Sequence, residues 1–304
     1  MTDNLTHSLF GFLIGIILIK KLKFEDTKWP MIAMIVAANL PDIDFVVRFF
    51  GSGFYLVHHR ELSHSVIGIV LLSIILAAIF SKFKEKNFDK YFVIGLVGTS
   101  AHVFLDVITS WGTQVLYPFN HIRYQFSLIP IVDVYVLAIF IIAAILIYMK
   151  AGDAQKIAKA ALFIFIVFLL FKSGLKIYAD ETVAKLNGYE DVSVMPSFTS
   201  PFIWRAIINE PDIYIINDFD VSTTGFGAFH FYPKEANPLI EKSKESLVVK
   251  QFREFSQFPY AAVEKNTVRW YDLRLTNDGN GGFVAIVEFD DNGNIISETI
   301  GTGF

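Results

Sequence analysis

The sequence predicts an α-helical polytopic membrane bundle of about six spans over residues 1–180, followed by a small α+β soluble domain over residues 181–304. Three observations carry this expectation. The 304-residue chain is 53% hydrophobic with 31 phenylalanines, and its mean hydropathy of +0.47 is too apolar for an ordinary soluble domain. Its apolar residues gather into runs separated by lysine-bearing loops. After Tyr178 both charge and pattern change: residues 1–179 hold 16 Lys/Arg against 11 Asp/Glu, residues 180–304 hold 10 against 19, and the net is −4.

The six expected spans are about Leu5–Ile19, Trp29–Phe50, Ser65–Phe80, Tyr91–Ile108, Leu128–Met149 and Ile157–Ile177. Several fall short of the ~20 residues that cross a bilayer, and flanking lysines that snorkel make up the difference. Loop charge then sets the orientation. The first loop carries Lys20, Lys21, Lys23 and Lys28, the third Lys82, Lys84, Lys86 and Lys90, and the fifth Lys150, Lys156 and Lys159, which makes eleven. The second and fourth loops carry Arg48, Arg60 and Arg123, which makes three. The positive-inside rule places the lysine loops in the cytoplasm. The N-terminus and everything after the sixth span are then expected outside.

Beyond Tyr178, short β-like runs (Phe202–Ile208, Ile213–Ile216) are broken by Pro201, Pro211 and Gly225. Pro238–Phe258 reads as one amphipathic helix with Leu239, Leu247, Val248 and Phe252 on its apolar side. Strands are expected at Thr267–Leu275, Gly282–Phe289 and Asn294–Ile300, the last two joined by a hairpin turn at Asp290-Asp291-Asn292-Gly293.

Composition excludes several classes. There is no basic tract suited to nucleic acid. The absence of cysteine removes disulfides, thiolate ligands and cysteine nucleophiles. Nothing basic precedes the first apolar run, so a cleavable signal peptide is not expected.

Six of the seven histidines lie in the first 121 residues, near span ends or in short loops, together with Asp42, Asp44, Asp106 and Asp133. Such groups are costly near a bilayer unless they pair, meet water or bind metal. With the orientation above, all of them fall at one membrane face. A mere avoidance of the bilayer centre would populate both faces equally.

Four short motifs carry the chemistry. His102-Val-Phe-Leu-Asp106 is an i, i+4 pair on one helix face, which suits one cation but equally a structural pair. Asn39-Leu-Pro-Asp-Ile-Asp44 breaks a helix at Pro41 and brings two carboxylates close, a repulsion that a divalent cation relieves. His58-His59-Arg60-Glu61-Leu62-Ser63-His64-Ser65 is the densest polar cluster; His59 and His64 are five apart, which rules out a zincin helix. Arg60 suits either an anionic group or a salt bridge with Glu61. Thr6-His7 precedes Gly11 and Gly15, whose spacing permits close helix approach. His58, His121, Arg123 and Asp133 rank second, and His230 is given no role. A mixed His/carboxylate set favours Zn²⁺, Mn²⁺ or Fe²⁺ over Mg²⁺ or Ca²⁺.

In this combination the chain resembles the YdjM-like family of membrane-bound, metal-dependent hydrolases, also described as LexA-binding and inner-membrane-associated. The matching pieces are Thr6-His7 with Gly11, Pro41-Asp42-Ile43-Asp44, His59-Arg60 through His64-Ser65, and His102-xxx-Asp106 followed by Gly112 and Pro118-Phe119. They arrive in order over about residues 1–180, and the trailing domain resembles that of longer, Gram-positive-type members. The resemblance implies a metal-dependent hydrolase. The expected ligands are His7, Asp42, Asp44, His59, His64, His102 and Asp106, with His58 an alternative to His59. Asp44 and Arg60 are the expected catalytic groups. One or two ions, zinc first, are expected, because seven ligands exceed the three or four of one catalytic zinc. The expected substrate is a phosphoester or similar bond in a membrane lipid or lipid-linked molecule. The competing expectation is a non-catalytic membrane protein that senses metal or binds a partner. LexA binding is not expected, since the topology leaves only short cytoplasmic loops.

Overall fold

The computed structural model describes residues 4–83, 86–185, 191–223, 225–234, 236–275 and 282–302. Lys84, counted among the loop cations, and the C-terminal Phe304 lie outside the described residues. The chain forms two compact units, one of Met1–Asp44, Arg60–Ile177 and Pro196–Pro201, the other of Phe45–His59, Tyr178–Met195 and Phe202–Phe304. The second unit thus takes in Phe45–His59, a stretch that the sequence alone assigned to the membrane half.

The first unit is helical: α1 (Asn4–Lys21), α2 (Lys28–Ala37), then α4 (Val66–Phe80), α5 (Phe88–Val107) and α6 (Val134–Tyr148), while α3 (Ser52–His58) belongs to the second unit. A seventh helix, α7 (Ala154–Ala184), begins in the first unit. Each start has a local cause. Ser65 caps α4 by accepting the Gly68 N–H, Asn87 caps α5 through Lys90 N–H, and Asp133 caps α6 through Tyr135 and Val136 N–H. α1 ends on Lys20 and Lys21, where positive charge meets the helix dipole. α2 stops at Ala37, and after the turn at Ala38–Asn39 a 3-10 helix runs over Leu40–Phe50, as the Pro41 break predicts.

By length and composition α1, α5 and α7 are candidate spans, and the number rises to five if two bent pairs, Lys28–Ala37 with Leu40–Phe50 and Ser52–His64 with Val66–Phe80, each count as one. α6, at 15 residues, is apolar but shorter. The described residues therefore support three to five spans where six were expected. Close packing in this unit depends on small residues. A Cβ on Gly11 would stand 2.6 Å from Ala38 Cβ, and one on Gly98 would stand 2.4 Å from Ala37 Cβ. Ala37–Ala38 is thereby clamped between α1 and α5.

The second unit holds two four-stranded antiparallel sheets, of order β1-β2-β3-β4 and β5-β6-β7-β8. The strands are β1 (Val192–Pro196), β2 (Ile203–Asn209), β3 (Ile213–Asp220), β4 (Gly225–Pro233), β5 (Pro259–Glu264), β6 (Thr267–Asp272), β7 (Phe283–Phe289) and β8 (Ile295–Thr302). Both sheets feed one core containing Met195, Ile207, Tyr214, Ile216, Phe258 and Leu273. The expected turn at Asp290–Gly293 is present, with Gly293 at φ +75°.

Two expectations need correction here. Pro238–Phe258 is not one helix but two, α8 (Pro238–Ser243) and α9 (Leu247–Phe255). Ser246 restarts the helix as a cap on Val249 N–H, which shifts the phase: Val249, Phe252 and Phe255 are buried while Leu247 is 62% exposed. Strands β1, β4 and β5 were not among the expected runs; β1 is only five residues long, and neither β4 nor β5 alternates apolar with polar residues throughout. Within this unit α3 packs on α9 and β8, and a Cβ on Gly53 would require the Gln251 side chain to move.

Candidate metal centre

The first unit brings His7 (α1), Asp42 and Asp44 (3-10 helix), Arg60, His64 (3-10 turn Leu62–His64), His102 and Asp106 (α5) together. His64 and His102 are fully buried, and His7, Arg60 and Asp106 are no more than 5% exposed. Local structure accounts for each placement. The Gly11 approach seats α1 against Ala38. Asn39 ties the following turn back to α1 by donating to Ser8 Oγ at 2.9 Å, next to His7. Helical spacing puts His102 and Asp106 on one face of α5. Ser65, by ending the 3-10 turn and starting α4, fixes His64 at the junction.

The hydrogen bonds decide which atoms are lone pairs. His102 Nδ1 is 2.8 Å from the Ala38 carbonyl, which can only accept, so Nδ1 carries the proton and Nε2 of the neutral ring is a lone pair. His64 Nδ1 faces Asp44 Oδ2 at 3.2 Å and Ser63 Oγ at 2.9 Å. Because Ser63 Oγ donates to Asp44 Oδ2, His64 Nδ1 is the donor there and its Nε2 is likewise a lone pair. The two Nε2 atoms nevertheless lie 3.2 Å apart. Asp106 Oδ2 is 3.2 Å from His64 Nε2 and 3.3 Å from His102 Nε2, and Asp42 Oδ1 is 3.5 Å from each.

With both rings neutral, four electron-rich atoms are thus gathered with no hydrogen among them. Metal–ligand distances of about 2.0–2.1 Å in a tetrahedron require ligand separations of about 3.3–3.4 Å. The five separations just given span 3.2–3.5 Å. The donor set therefore fits a cation, and two overlapping triads, Asp42–His64–His102 and His7–His102–Asp106, could hold a metal ion.

Around this core, His7 stacks on His102 with ring centroids 3.9 Å apart and approaches Asp106 Oδ1 at 3.6 Å. Arg60 Nη2 donates to Asp106 Oδ1 at 2.6 Å, so its partner is Asp106 and not Glu61, which accepts from Gln114. Arg60 holds this position with a left-handed backbone, φ +67°. Its N–H donates to Asp44 and its carbonyl accepts from Gln114 N–H. Among the described residues, Asp106 Oδ2, His7 Nδ1 and Arg60 Nε and Nη1 are buried without a hydrogen bond. A cavity of about 20 Å³, room for one water, opens beside His7, Arg60, Asp106, Thr109 and Asp133.

His59 and His58 belong to the second unit, where His59 stacks on Tyr55 and His58 lies against Phe54. His121 packs edge-on to Tyr117. Sequence reasoning missed Ala38 and Ser63. A backbone carbonyl leaves no side-chain signature, whereas Ser63, directly before His64, was readable as a hydrogen-bonding neighbour.

An apolar helical unit with a buried His/Asp cluster, joined to a two-sheet α/β domain, defines a membrane protein with a metalloprotein-like centre. The chain belongs to the YdjM inner membrane protein family, whose model matches residues 1–178. Residues 238–304 match the YfhP C-terminal alpha/beta plait domain. Over 299 residues the chain is 27% identical to the uncharacterized protein YfhP of Bacillus subtilis (strain 168), covering 94% of this chain and 90% of that one. No solved structure gives a significant match.

Proposed function

We propose that this protein is a membrane-bound, metal-dependent hydrolase whose site faces the outer side and acts on a phosphoester or similar bond in a lipid-linked substrate. The observation that carries this reading is the convergence of His64 Nε2, His102 Nε2, Asp42 Oδ1 and Asp106 Oδ2 at separations of 3.2–3.5 Å. Two imidazoles and two carboxylates favour zinc among the divalent ions. A cation held there supplies Lewis acidity to the bond being broken. His7 and Asp106 Oδ1 border the same space and are the candidates for completing a second position.

The protein groups have separable tasks. Asp44, on the Nδ1 side of His64, holds that ring's tautomer and orientation. Arg60 keeps one guanidinium nitrogen on Asp106 and presents Nε and Nη1 as donors for charge that develops on a substrate oxygen. The lysine asymmetry between loops supports an outer-face site. It grows once Arg60 is seen to be buried and paired with Asp106, since it no longer counts as a loop charge.

Metal analysis of the purified full chain beside His102→Ala/Asp106→Ala tests the centre. Bound transition metal in the wild type and its loss in the variant are expected; a metal-free wild type refutes the reading. Turnover of lipid phosphoesters by the metal-loaded chain separates a hydrolase from a sensor. A reporter fused at the C-terminus tests the orientation, and a cytoplasmic signal overturns it.

A further inference from the structure

In the second unit, four strands lie at sheet edges: β1, β4, β5 and β8. Natural proteins protect such edges with shortness, proline or charge. β1 is five residues long and ends in Pro196, β5 is framed by Pro259 and Glu264, and β8 carries Glu298. β4 ends in Pro233, as β1 ends in Pro196, but has neither shortness nor charge. It is nine residues long, reads Gly-Phe-Gly-Ala-Phe-His-Phe-Tyr-Pro, and contains no Lys, Arg, Asp or Glu. Phe226, Phe229 and Phe231 are 37%, 43% and 60% exposed.

Beside this strand lies a groove of about 600 Å³. Four consecutive residues, Phe229 to Tyr232, line it together with Tyr260, Ala262 and Tyr271. Successive residues of a strand point to opposite faces, so a groove that touches four in a row runs along the strand's edge. Tyr260 and Ala262 are two apart, and Tyr260 pairs with Tyr271 across β5–β6, so these three share one sheet face. The groove therefore has the β4 edge as its wall and an aromatic sheet face as its floor. Four residues at roughly 3.4 Å each make it about 14 Å long, the length of a short added strand.

The chemistry of the occupant follows from charge. Residues 180–304 hold 10 Lys/Arg against 19 Asp/Glu, so two copies of this domain repel over most of their surface. They meet without like charges along β4. The groove is aromatic and uncharged, and β4 is itself an aromatic, uncharged strand. Antiparallel pairing of a strand with its own copy is isologous, and it consumes both edges and stops at two. We propose that β4 is a homodimerisation strand, pairing antiparallel with β4 of a second copy along Phe229–Tyr232 and seating the copy's aromatic side chains against Tyr260 and Tyr271.

The chain has no cysteine, so single cysteines report contacts without background. Ala228→Cys, Phe229→Cys, His230→Cys, Phe231→Cys and Tyr232→Cys are each made in the full chain and oxidised with copper phenanthroline in native membranes. Pairing about a two-fold places one of the five within the Cα separation of about 4.4–6.8 Å that a disulfide needs. That position is expected to shift to twice the monomer mass on a non-reducing gel, its neighbours less so, and Glu298→Cys on β8 not at all. Adding Phe229→Asp to the best cross-linking variant (Phe231→Asp where position 229 carries the cysteine) places like charges across the pair and is expected to cut the product roughly tenfold or more. No dimer at any of the five positions overturns the proposal. So does a dimer insensitive to the added charge, or cross-linking to a different protein. The cysteine series changes only strand residues that line or border the groove, and a retained melting temperature separates a negative result from misfolding.

Discussion

Asp44→Asn discriminates between a carboxylate that ligates a metal and one that positions a ligand. Asp44 Oδ2 accepts the Arg60 N–H at 3.0 Å and the Ser63 hydroxyl at 2.9 Å, and lies 3.2 Å from His64 Nδ1. An amide that sets its single oxygen at the Oδ2 position keeps these contacts but takes the charge off their acceptor. Hydrogen bonds to a charged group contribute about 1.5–3 kcal/mol each and neutral ones about 1 kcal/mol. The substitution therefore costs about 1–2 kcal/mol of ring orientation. Losing a partner that orients a metal-bound histidine weakens metal binding about 10–100-fold, which is about 1.4–2.7 kcal/mol. Both routes give the same size of effect. By contrast, His102→Ala removes a converging Nε2 atom and is expected to abolish stoichiometric binding. The assay is competition for Zn²⁺ against a chromophoric chelator, with both variants purified in detergent. The reasoning fails if Asp44→Asn binds as tightly as wild type. It fails equally if that variant loses the metal as completely as His102→Ala, since Asp44 would then be a direct ligand.

What could be read in advance follows a physical division. The apolar runs and the i, i+4 spacing of His102 and Asp106 are local properties, and both are present in the structure. The helix break at Pro41 was equally local, since proline removes a donor and blocks the preceding turn. What was not legible depended on distant backbone or on caps. Asp106 as the partner of Arg60 lies 46 residues away, whereas Glu61 was adjacent and looked sufficient. The carbonyl that sets the His102 tautomer belongs to Ala38, a residue with no functional chemistry of its own. Its place is fixed by Gly11 and Gly98, where the side chain is missing. The break between α8 and α9 went unseen because Ser246 looked like an ordinary polar residue on a helix face, although serine is also a good cap. Strand β4 was hidden by its exposure on both faces, which removes the alternation that identifies strands.

Three further perturbations test the packing and the second unit. Gly98→Ala puts a Cβ 2.4 Å from Ala37 Cβ and is expected to cost about 1–3 kcal/mol by overpacking, seen as a lower melting temperature in detergent; an unchanged melt refutes the close approach. Asp290 accepts N–H groups from Asn294 and Asn292, which holds its carboxyl below the usual carboxylate range. That contribution is complete above a pH of about 3.9 and is lost as pH falls through the lowered folded value. Asp290→Asn should therefore flatten the acid limb of the domain's stability curve; an unaltered acid limb counts against the hydrogen-bonded turn. The third concerns Arg274 and Asp272, paired at 2.6 Å with side chains 2% and 0% exposed. Removing one partner strands a buried charge, so Asp272→Ala is expected to cost about 3–5 kcal/mol. The double variant Asp272→Leu/Arg274→Met strands neither, and replacing a buried pair by apolar groups of similar volume is often neutral or stabilising. Arg274 also lies over the Phe255 ring at 5.4 Å, a contact that Met retains in part. Chemical denaturation should thus rank the double variant above the single one. If the double variant is the less stable, the pair contributes more through its bidentate hydrogen bonds than burial of the charges costs, and the fold of this domain depends on it.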